Sequence, residues 1–96
     1  MDRTIEEVRQ DRMLPPFEIF NRMLEDEDFL VPIILLCLNR GHGRRVRRII
    51  NMIERRFGLD MTSNEKQRLA RRIIFQLQKL EIGNIVERTE YGWRMK

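Results

Sequence analysis

A chain of 96 residues, 42% hydrophobic and 35% charged, has material for one core and obliges nearly every element to keep a wet face. One cysteine and one histidine exclude an internal disulfide and a cysteine–histidine metal cage. The net charge of +4 is unevenly spread: residues 1–30 hold nine acids and four bases, whereas residues 39–79 hold twelve bases and three acids, which implies a polyanionic partner for the second stretch.

The start MDRTIEEVRQ is charged and lacks the apolar segment of a secretory signal. Thr4 with Glu7 forms a capping-box signature for a short helix carrying Ile5 and Val8, ended by Pro15-Pro16. A second short helix then places Phe17, Phe20, Met23 and Leu24 on one face. The acids Glu25 to Asp28 suit the N-terminus of the next helix. That helix, Phe29 to Asn39, is apolar around its circumference, which predicts cover on all sides, with Pro32 in its first turn. Its apolar run is too short and too interrupted to span a bilayer, for which roughly 20 residues are needed. Within it Cys37 reads as a buried free thiol, which points to a reducing, cytoplasmic setting.

After Gly41-His42-Gly43, residues 44–57 place Val46, Ile49, Ile50, Ile53 and Phe57 at helical spacing, with Gly58 as the stop. Ser63 or Asn64 can cap the next helix, which buries Leu69, Ile73, Leu77 and Leu80 and closes at Gly83. Residues 84–88 and 91–96 alternate as two short strands joined by a turn at Thr89 to Gly92, with Trp93 and Met95 inward. The expected fold is mainly α with a small C-terminal β-hairpin, residues 29–96, behind an acidic helical extension, residues 1–28.

Opposite the apolar stripe of residues 64–82 lie Asn64, Arg68, Arg71, Phe75 and Lys79, flanked by Gln67 and Arg72, and Lys66 joins them as a DNA-contact candidate. Arginine matches guanine edges bidentately and asparagine or glutamine matches adenine, so this rod has the chemistry to read a major groove. Phe75 has no core explanation there and suits a thymine methyl, a partner subunit or packing under the extension. Arg44, Arg45, Arg47 and Arg48 crowd the first turn of the preceding helix, where cations oppose the dipole, so an anion is expected nearby.

Four segments carry a family resemblance: Pro32-Ile-Ile-Leu-Leu, Val46 to Gly58 with its Phe-Gly-Leu ending, Arg68-Leu-Ala-Arg-Arg-Ile-Ile-Phe-Gln-Leu-Gln-Lys-Leu, and Tyr91-Gly-Trp-Arg. Together they resemble the N-terminal winged-helix domain of Mrr-type restriction endonucleases, which small archaeal, viral and bacterial DNA-binding proteins also approximate. The resemblance implies a winged helix-turn-helix whose third helix lays Arg68, Arg71 and Arg72 in the major groove of double-stranded DNA while the hairpin brings Arg88 and Arg94 to the backbone. No nuclease segment accompanies it, so restriction activity is not implied, and the first thirty residues have no counterpart.

No convergent set of catalytic groups is legible: His42 sits between two glycines, and the acidic cluster lacks the spaced ligands of a calcium loop. The expectation is a DNA-binding regulator, not an enzyme, with no cofactor, metal, membrane or small-molecule partner and with a homodimer as the working assembly. The alternative is a winged-helix module that docks on proteins.

Overall fold

Residues 15–96 are described by a computed structural model. The expected helix around Thr4 to Val8 lies outside the described residues. Four helices and one hairpin follow among the described residues: α1 (Pro16–Glu25), α2 (Glu27–Leu36), α3 (Val46–Phe57), α4 (Ser63–Ile82), β1 (Val86–Thr89) and β2 (Gly92–Met95). The mainly helical fold with a C-terminal two-stranded antiparallel hairpin therefore agrees with the sequence.

α1 begins on a proline at its first position, where the missing N–H costs nothing. Its buried face is Ile19, Phe20 and Met23; Phe17, expected inward, is 71% exposed because it stands in the first turn, away from that stripe. These residues share one core with Leu30, Ile34, Ile53, Leu69 and Trp93. Asp26 both ends α1 and caps α2, its carboxylate accepting from the Asp28 N–H at 3.0 Å.

α2 runs from Glu27 to Leu36, two residues earlier at its start than the apolar run suggests, so Pro32 falls in its second turn. The hydrogen bond Pro32 cannot donate lies on the exposed side of the helix. Nor is α2 covered all round: Leu30, Ile33 and Ile34 are buried, but Leu36 is 63% exposed. Uniform apolarity does not say which sides of a helix receive neighbours, and this one packs against α1 and α4 while Pro32 and Leu36 stay exposed.

α3 buries Ile49, Ile50 and Ile53 and ends on Gly58 in the left-handed region, φ 63°, as a glycine stop requires. The turn into α4 is pinned by Glu54, whose carboxylate accepts from the Met61 N–H at 3.1 Å. α4 is capped by Thr62 instead of Ser63 or Asn64. A full capping box forms, with Glu65 N–H donating to the Thr62 hydroxyl and Thr62 N–H to the Glu65 carboxylate. The acidic residue three positions on decides between the candidate caps. Leu69, Ile73, Leu77 and Leu80 are buried as the spacing predicts.

The hairpin pairs Val86 with Met95 and Thr89 with Gly92, and buries Val86 and Trp93. A third backbone segment joins it, which the sequence does not announce: Arg44 N–H donates to the Trp93 carbonyl at 2.7 Å and Trp93 N–H to the Arg44 carbonyl at 2.8 Å. The approach depends on Gly92, at φ 128°, where an added Cβ would stand 2.4 Å from the Arg44 carbonyl carbon. Gly92→Ala is expected to lose about 3 kcal/mol or more, from the backbone conformation plus this collision, measured by urea unfolding.

Candidate nucleic-acid interface

The Arg44–Trp93 bridge sets the start of α3 beside the hairpin turn. A shallow surface consequently runs from Tyr91 past His42, Arg45, Arg47, Arg48 and Asn51. It continues, through Arg47 and Asn51, into a depression between α3 and α4 lined by Ser63, Lys66, Gln67, Ala70 and Ile74. Among the described residues no carboxylate lines either part.

Why these arginines stand together is a matter of helix phase. Arg47, Arg48 and Asn51 lie opposite the buried Ile49, Ile50 and Ile53, and Arg47 and Asn51, four apart, share one face. The first turn of α3 holds no acid. Three cations, Arg45, Arg47 and Arg48, therefore meet the positive end of the helix dipole, and no ion pair with any described residue offsets them. Stability alone does not favour this arrangement; an external anion does.

The other expected contact residues divide into two groups. Asn64 and Gln67 are exposed near the start of α4, and Lys66 is half-buried with its ammonium 3.4 Å from Glu54. Arg68, Arg71 and Arg72 do line one notch, but on the α1 flank of the helix, with Asn21, Leu24 and Glu25. There Arg68 lies 5.9 Å from the Phe20 ring and Arg72 Nε donates to the Leu24 carbonyl at 2.7 Å. The rod of residues 64–82 is thus not uniformly free: its α1 flank is partly occupied by the protein's own helix.

Besides Lys66, four members of the expected set have internal work. Arg44 donates to the Cys37 carbonyl at 2.9 Å and to the Met52 sulfur at 3.0 Å, which ties α2 to α3. Arg72 holds α1 as described, Lys79 pairs with Glu27 at 3.1 Å, and Arg94 pairs with Glu87 across the hairpin. Arg88 is exposed but rests its guanidinium 4.6 Å from the Trp93 ring. Phe75 is half exposed, with the Lys79 ammonium 5.5 Å from its ring.

Arg47 lies in the basic run Arg44 to Arg48 that the sequence marks, whereas Asn51 has no charge to draw notice. Its place one turn after Arg47 is the signal that finds it. No family model, curated protein or solved structure matches the chain. Among the described residues there is no cluster of histidine, cysteine and carboxylate able to hold a metal ion, and no helix long and apolar enough to cross a membrane.

Among the described residues, the fold shifts the pKa of Cys37 and Glu27. Burial pushes the Cys37 thiol up, against the smaller opposing pull of Arg44 and Arg56. Glu27 is lowered, first by the hydrogen bond from Lys79 and then by that from Gln76, at 3.1 and 3.2 Å. A depressed carboxylate contributes stability above its unfolded pKa and loses it as pH falls through the folded one. Glu27→Gln is therefore expected to lower the melting temperature at pH 7, and the gap from wild type should close on acidification below the ordinary carboxylate range; circular dichroism melts across pH measure this.

Proposed function

We propose that this chain is a winged helix-turn-helix protein that binds double-stranded DNA, as a sequence-specific regulator without catalytic activity, through the joined α3, α4 and hairpin surface. The order of helix, bridging segment, helix, helix and hairpin supports the winged-helix reading and fits the resemblance to the N-terminal domain of Mrr-type endonucleases. The single observation that carries DNA binding is the cluster of Arg45, Arg47 and Arg48 on a carboxylate-free surface, unpaired among the described residues.

In this reading the N-terminal half of α4 enters the major groove with Asn64, Gln67 and Arg71 toward base edges, each polar and exposed. Arg45, Arg47 and Arg48 grip one phosphate backbone, and Asn51 donates to it. Tyr91 and Arg88, at the hairpin turn and the strand before it, meet the neighbouring backbone. Arg68 and Arg72 stand on the far flank of α4, toward the opposite strand.

Fluorescence anisotropy on duplexes over a range of salt tests the proposal. Log affinity should fall linearly with log salt at a slope near −0.9 per phosphate neutralised. Arg47→Ala should reduce the magnitude of that slope by about 1 on every duplex. Gln67→Ala should cost roughly 1–3 kcal/mol on a preferred sequence and little on a scrambled one, whereas Arg94→Ala, whose partner is Glu87, should leave the slope unchanged. Affinity indifferent to salt, or equal loss from Arg94→Ala and Arg47→Ala, rules the surface out.

A further inference from the structure

The two halves of α4 present different outer faces. Up to Arg71 the exposed residues are polar; beyond it Phe75 is 51% and Ile82 86% exposed, with Gln78 between them and Ile74, 38% exposed, at the edge toward α3. Residues 75, 78 and 82 are three and four positions apart and so form one stripe along the helix. Isolated apolar side chains on a surface are ordinary, but a stripe at helical period is a contact face.

We infer that two copies of this chain pair through this stripe, their α4 helices antiparallel about a two-fold axis at Gln78. The sequence of the stripe, apolar then polar then apolar, reads the same from either end. An antiparallel two-fold therefore sets Phe75 of one copy against Ile82 of the other and Gln78 against Gln78, where each amide can donate and accept. The stripe is small beside the roughly 800 Å² per partner of a standard interface. Such a dimer is weak alone and is reinforced when both copies hold one duplex.

A second copy is favoured over another partner by where it leaves the reading ends. Residues 64–67 stand about 11–14 positions before Gln78, some 16–21 Å along the helix at about 1.5 Å per residue. The axis doubles that to about 33–42 Å, which brackets the roughly 34–36 Å between successive major grooves on one side of DNA. The same axis keeps both α3 flanks on one side, since Ser63, Ala70 and Ile74 lie toward α3 in each copy, clear of the Phe75 edge. The spacing argument rests on the DNA reading above; the pairing itself is tested without DNA.

Sedimentation equilibrium of the full chain should give a mass approaching twice 11.8 kDa at high concentration. The double variant Phe75→Glu, Ile82→Glu should return it to once that value with its melting temperature retained, because both side chains are exposed. In a Cys37→Ala background, Gln78→Cys should form an intermolecular disulfide on mild oxidation while Glu90→Cys, at the hairpin turn, does not. On a duplex of about 24 base pairs the double variant should keep its salt slope per chain but lose at least about tenfold in affinity. A wild type that stays monomeric without cross-linking at residue 78, or a dimer that survives the double variant, overturns the pairing. Wild-type dimers that ignore DNA count against the DNA reading and leave the pairing standing.

Discussion

The structure turns on a pair of hydrogen bonds between Arg44 and Trp93. They join the hairpin, last in the chain, to the short segment that launches α3, and they form only because Gly92 lets two backbones approach more closely than a side chain would allow. Trp93 is then buried on one side of the strand while its backbone is satisfied on the other. Remove that junction and the start of α3 has no fixed relation to the hairpin turn, so the surface between them ceases to be one surface.

The electrostatics follow from which cations the core has already claimed. Arg44 supplies a positive charge at the C-terminal end of α2, a helix with no base of its own in its last turn. Lys79 and Arg72 hold the N-terminal helices, and Arg94 braces the hairpin. The arginines at the start of α3 have no such duty. Counting basic residues therefore overstates the charge available to a polyanion, and locating the unclaimed ones shifts the emphasis from α4 alone to the α3–α4 face.

Local regularities in the sequence carried most of the architecture. Period 3.6 placed the buried stripes of α3 and α4, Gly58 placed a helix end, and alternation placed Trp93 and Met95 inward. What local pattern cannot carry is the choice among faces that are equally apolar, as in α2, or the pairing of residues far apart in the chain. Gln76 and Lys79 meet Glu27 across about half the sequence, and Arg72 meets Leu24 likewise. Those contacts decide which side of α4 is covered by α1, and with it the fate of Phe17, Arg68 and Arg72. The Arg44 bridge escaped for a related reason: a single paired residue has no periodicity.

The acids Glu25 to Asp28 sit at the junction of α1 and α2, on the flank of α4 away from Arg47 and Arg48. There Arg22 pairs with Asp26 and Lys79 with Glu27, whereas the cations at the start of α3 face no carboxylate among the described residues. Positive potential left uncompensated on one face draws a polyanion to that face first, so productive encounters are enriched before any contact is made.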